Sequence, residues 1–281
     1  MIIGHSQLPH LLTNLIFSFH MPLFFLISGF LYKDRKLKDL LSRNSIKILL
    51  PYLITGLIIC GLKAINGNYL WAFSLILANG SRPVFNLTDY YVGPLWFLIS
   101  YLVSLIFFHY IKKIDNIYYQ FAAILLLWTL SFGVTHYINM LPFGIIPAIS
   151  GTLFMLIGNY IHDIKNSDFS HTRYLIIGLV IWICCIFKGN LSMASNIYRL
   201  YILQIIGALY GTYVFYKILL ATTHKKELKA LICFIGRSSL FILCIHSIDW
   251  NMGYSTEFTN YLISKGIITF HSIDILFKLS N

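Results

Sequence analysis

The sequence predicts an all-α, polytopic integral membrane protein, a helical bundle of about nine transmembrane helices, and three observations carry that prediction. Only 11% of the 281 residues are charged while 58% are apolar or aromatic, and the mean hydropathy is +0.74. A water-exposed globule needs roughly a quarter of its residues charged, so lipid must solvate much of this surface. Second, the apolar residues fall in runs close to the ~20 residues that a helix needs to cross the hydrocarbon core. Third, cation-rich and cation-poor loops alternate between those runs, as expected of a multi-pass chain.

Taken in order, Met1 to His5 read as the last turn of an apolar helix, an incomplete first helix whose beginning would precede Met1. Spans are expected at 11–32, 45–63, 93–111, 117–134, 141–161, 174–188, 197–217 and 230–246. The segment 69–79 is short and aromatic, which predicts an interfacial or re-entrant helix. A weaker span at 259–279 carries Lys265, His271, Asp274 and Lys278, and the topology of 255–281 stays open. Pro22, Pro51, Pro94 and Pro142 stand within or at the edges of spans, where proline frees a carbonyl and bends the helix, often beside a cavity. No internal repeat is visible, so 1–281 reads as a single membrane-embedded domain.

The formal net charge of +11 would suit nucleic acid were it not for where the charges lie. Fourteen cations collect on one side, in loops 33–47 (Lys33 to Lys47), Lys112–Lys113, Lys165–Arg173 and Lys217–Lys229. The other side holds four, Lys63, Arg82, Lys188 and Arg199. The positive-inside rule places the first set in the cytoplasm, and no stacking or Gly-rich RNA motif accompanies it, so no nucleic-acid partner is expected. The five cysteines all lie in apolar runs without CxxC or zinc spacing, and read as packing residues.

Ionisable groups at membrane depth need a reason, since each costs roughly 2.5–3.5 kcal/mol at a helix centre. No firm span carries an internal carboxylate, which argues against an ion-coupled transporter. Histidine differs. His20 falls near the middle of the span 11–32, His5 at the end of the helix remnant, and His246 at the end of 230–246. Imidazole is the side chain best suited to move a proton near neutral pH, although a lone intramembrane histidine also serves as a neutral hydrogen-bonding link between helices. No histidine makes an HExxH or other metal-ligand spacing. Asp89 and Asp249 share a side with His5 and His246, and Asp249 follows His246 by three positions, a helical neighbour if the helix continues. Either orients an imidazole or is a solvated loop charge. Arg237 lies within 230–246, and Arg43 and Lys47 are one turn apart at the inner mouth of the next span. These three read either as a grip on the phosphates of a cytoplasmic donor or as snorkelling and topology anchors. Trp96 either packs on a sugar or anchors the interface.

The ordered motifs resemble acyltransferase family 3, in particular its fucose 4-O-acetylase-like membrane acetyltransferases, in an N-terminally truncated form. The most specific match is the block Ser18-Phe19-His20-Met21-Pro22-Leu23-Phe24-Phe25-Leu26-Ile27-Ser28-Gly29-Phe30-Leu31. Around it stand Gly4-His5-Ser6, Arg43 to Pro51-Tyr52, Gly93-Pro94-Leu95-Trp96-Phe97-Leu98, Leu141-Pro142-Phe143 with Phe154 to Gly158, and Gly236-Arg237-Ser238-Ser239-Leu240 leading to His246. The resemblance runs over about residues 1–250 in the family's order.

It implies roughly ten helices and transfer of an acyl group, usually acetyl from acetyl-CoA as co-substrate, to a sugar hydroxyl of a cell-envelope polysaccharide or its precursor. No bound cofactor is implied, and the location implied is a bacterial plasma membrane. The family's first helix places a basic residue before the histidine that aligns with His5, and in this chain that residue would precede Met1. His5 is the general base that the resemblance nominates. The readings set against an O-acyltransferase are a transporter or flippase of envelope precursors, and a non-catalytic acyltransferase fragment.

Overall fold

The computed structural model describes residues 10–85, 91–164, 172–224 and 226–254. Their regular structure is helical apart from one short hairpin: α1 (His10–Phe17), α2 (His20–Phe30), α3 (Leu37–Ile65), α4 (Trp71–Leu77), α5 (Trp96–Ile111), α6 (Ile117–Ile138), α7 (Ile145–Ile164), α8 (Thr172–Lys188), β1 (Leu191–Ser192), β2 (Ile197–Tyr198), α9 (Ile202–Thr222), α10 (Lys226–Arg237) and α11 (Ser239–Met252). Among the described residues, six helical runs are long and apolar enough to cross a membrane, and the pair α10 and α11, bent by 58°, makes a seventh if it counts as one span. The chain is a multi-pass membrane protein. The expected incomplete first helix and the weak span 259–279 lie outside the described residues.

Proline chemistry shapes the first two spans. Pro22 cannot donate to the carbonyl of Ser18, four residues earlier, and the chain breaks there between α1 and α2. Ser18 turns its hydroxyl back to the carbonyl of Leu15 (2.7 Å) and accepts from Trp182 Nε1 (2.9 Å), which joins the break to α8. Helix α3 has 29 residues with Pro51 inside. At 1.5 Å per residue it reaches about 43 Å, beyond the ~30 Å hydrocarbon core. Leu50, Leu53, Ile54, Leu57 and Ile58 are exposed along it, a face for lipid. The segment expected to be interfacial forms α4, which Tyr52 ties to α3 by donating to the carbonyl of Leu75.

Helix α7 is the centre of the bundle, since 78% of the apolar window in Pro142–Asp163 is buried against 56% or less in the other five spans. It packs on α2, α5 and α6. Its contact with α2 is a backbone crossing. A Cβ on Gly29 would collide with the carbonyl group of Met155, and one on Gly158 with that of Leu26. Small residues at a crossing are how membrane helices gain dispersion contacts without a hydrophobic drive.

Two sequence expectations require correction. The span expected at 197–217 begins as a hairpin, and the helix runs Ile202–Thr222 instead. The hairpin is held inward by polar bonds: Asn196 Nδ2 donates to Ser131 Oγ (3.1 Å) and Thr135 Oγ1 (3.3 Å) of α6, while Tyr198 packs edge-on against Trp128. Asn196 has φ +53, a left-handed conformation that asparagine tolerates better than most residues. The span expected at 230–246 is not straight, because α10 ends at Arg237 and α11 starts at Ser239. No residue of α10 is buried, and only α11 enters the bundle.

Candidate active site

Helices α2 and α5, which meet through the side chains of Phe24, Phe25, Ser28, Phe97 and Tyr101, border two separate cavities. The first, of about 230 Å³, is lined by His20, Met21, Trp96, the hairpin tip Ser192 to Ser195, Gly80–Ser81 and Trp250. Its wall owes its closeness to Gly93, whose φ of +58 favours glycine and whose Cβ would strike the Trp250 indole. Trp96 is buried on this wall.

His20 is buried and its Nδ1 lies 3.0 Å from the carbonyl oxygen of Ile16, the bond that the break after α1 makes available. A carbonyl only accepts, so Nδ1 is the donor and a neutral ring carries its lone pair on Nε2. The Phe17 ring meets the imidazole edge-on at 4.8 Å. Three serines add hydroxyls: Ser81 and Ser195 hydrogen-bond each other, and Ser192 donates to Ser195 at 3.2 Å. A buried imidazole beside hydroxyls is an arrangement that can move a proton.

His246 does not line this cavity. It is buried on α11 and its ring meets Trp250, which does, at 6.4 Å. Helix α11 continues past Asp249 to Met252, so His246 and Asp249 stand one turn apart on it. Asn251 anchors the same end, accepting from Trp71 Nε1 at 3.2 Å and donating to the carbonyl of Val92 at 3.4 Å. His5 and Asp89 lie outside the described residues.

The second cavity is an open groove of about 530 Å³ toward the other end of α2 and α5, among Phe24, Ser28, Phe97, Tyr101, Leu240 and Leu243. Lys33, Arg35 and Asn44 stand along it. Ser28 and Tyr101 join hydroxyls at 2.8 Å, a polar rung on an otherwise apolar wall. Arg237 and Lys47 are exposed and not among the lining residues; the Arg43 side chain lies outside the described ones.

Aromatic rings fill the boundary between the two. Trp96 faces the first cavity and the next residue, Phe97, the second. The Phe97 ring lies 6.2 Å from Trp96, 5.7 Å from Phe24, 5.5 Å from Phe25 and 5.9 Å from Tyr101. Serines 81, 192 and 195, Trp250, Ser28 and Tyr101 escaped sequence reasoning. Serines and exposed aromatics carry no local signal; Trp250, four positions after His246, was the most readable. Among the described residues, no group of His, Cys, Asp and Glu is placed to hold a metal ion.

The acyltransferase domain family model matches residues 1–270. The chain belongs to that family, acyltransferase family 3, and is a membrane acyltransferase that moves groups other than amino-acyl groups. No curated protein and no solved structure matches it.

Proposed function

We propose that this acyltransferase carries an acetyl group from cytoplasmic acetyl-CoA to a hydroxyl of a cell-envelope sugar, in the plasma membrane of a bacterium. The observation that supports this reading best is the pair of cavities on the same two helices. The groove bordered by Lys33 and Arg35 suits an anionic donor with a long arm, and the cavity around His20 suits a sugar ring. The acceptor oxygen attacks the thioester carbonyl, a base takes its proton, the C–S bond breaks, and the CoA thiolate leaves. His5 is the base that the family resemblance nominates. His20, which can accept a hydroxyl proton at Nε2, completes the pair of imidazoles. His246 with Asp249, Asp89 and Trp96 belong to the acceptor side of this proposal, and Arg43, Lys47 and Arg237 to the donor side.

The test uses purified protein in nanodiscs, acetyl-CoA and a panel of methyl glycosides, with release of CoA thiol and acetylation of the glycoside as readouts. Coupled acetyl transfer supports the reading; thioester left intact with every acceptor overturns it in favour of a transporter or a non-catalytic chain. Orientation is tested separately. In a background without native cysteines, a cysteine placed at Ser42 stays unlabelled by an impermeant reagent in intact cells, and labelling there reverses the assignment of both cavities.

A further inference from the structure

A third cavity adjoins the groove. It measures about 610 Å³ and is lined by Arg35, Lys36, Lys112 and Lys113, with Asp34, Asp115 and His109. Its four cations outnumber its two carboxylates and come from two separate turns, one after α2 and one between α5 and α6. Topology alone asks only for a count of charges in each loop. It does not ask that two loops converge around one concavity.

The turns are joined where they meet: Tyr32 forms a long hydrogen bond with Nδ1 of the buried His109, 3.5 Å apart, and stacks edge-on against Phe108. Arg35 lines both this cavity and the apolar groove. Arg35 thus stands between a cationic cavity and an apolar groove.

Resting on the acyltransferase reading above, we propose that the cavity at Arg35, Lys36, Lys112 and Lys113 is the phosphate subsite for the nucleotide half of the acyl donor, with the acyl-bearing arm in the groove beyond Arg35. This separates the grip on the nucleotide phosphates from Arg43, Lys47 and Arg237. Arg35 stands at the junction, where a planar fork reaches phosphate oxygens in pairs. The lysines act as point charges on the more exposed phosphates.

The test compares acetyl-CoA with S-acetylpantetheine, which has the same thioester and arm but no nucleotide phosphates, in nanodiscs of zwitterionic phosphatidylcholine. Wild type should favour acetyl-CoA in kcat/KM by about tenfold or more. Lys112→Gln/Lys113→Gln and Arg35→Gln should each collapse most of that ratio. A ratio that survives both substitutions overturns the subsite, as does an equal loss with both donors in a protein that keeps its thermal unfolding midpoint. Arg35→Lys should restore part of the ratio, which a purely structural arginine would not do. A ratio change seen only in bilayers containing phosphatidylglycerol assigns the cations to lipid headgroups and also overturns the proposal. Wild type that consumes neither thioester removes the acyltransferase reading itself, a different failure from a wild type that consumes both equally.

Discussion

The two cavities on α2 and α5 are built from opposite materials. The one at the hairpin end is small, walled by indoles and glycine backbone, with its polarity held in hydroxyls and one buried imidazole. The groove at the other end is wider and apolar along its length, with Lys33 and Arg35 at its rim. Charges at a wet rim bind and orient, because water and salt screen them and small displacements cost little. A buried imidazole with its tautomer fixed by a backbone carbonyl is placed for proton transfer, where small displacements cost much. On the proposed reading chemistry belongs to one end and affinity to the other, and substitutions can break that contrast in graded steps.

The largest effect is expected at the imidazoles. Alanine at His5 or at His20 should lower acetyl transfer by ~10²–10⁴-fold if that residue takes the proton, with nanodisc incorporation unchanged. The histidine whose loss lowers activity only as far as protein yield falls is the packing residue of the two. Next comes the aromatic boundary. Phe97→Ala removes the ring in contact with four others, so butyryl-CoA should gain on acetyl-CoA in relative kcat/KM by about tenfold; an unchanged ratio would show that Phe97 does not limit the acyl group. Trp96→Leu removes an aromatic wall of the cavity around His20, and should raise the acceptor KM several-fold, by roughly 0.5–1.5 kcal/mol. Its effect on the acetyl-CoA KM should be negligible, and an equal rise in both would erase the distinction between the ends. The smallest effect is expected at Arg237, exposed beyond the break between α10 and α11. Arg237→Gln should raise the acetyl-CoA KM by no more than the ~0.2–1 kcal/mol typical of exposed charges, and a loss of an order of magnitude would move the phosphate grip to α10.

Sequence and structure agree where the physics is an average over many residues. A span is such an average, so α3, α5, α6 and α7 stand close to where hydropathy put them, and the break near Ser18 follows from one proline. The hairpin defied reading because its strands are two residues long and too short for an alternating pattern. The bend at Ser238 was hidden because a hydropathy window averages straight across it. Of the residues lining the smaller cavity, His20 and Trp96 were conspicuous in the sequence as polar or aromatic residues in a membrane. The hydroxyls of Ser81, Ser192 and Ser195 were not, since they become a cluster only when segments more than a hundred residues apart meet.

The crossing of α2 and α7 also sets an order of assembly. Leu26 and Gly29 touch Gly158 and Met155 through backbone atoms, so α2 cannot take its final seat until α7 has been synthesised and released into the bilayer. Both cavities use α2 as a wall, and the hairpin that closes one of them is made later still. A ribosome partway through this chain has inserted helices but neither cavity, and both are completed in a late joining of parts already in the membrane.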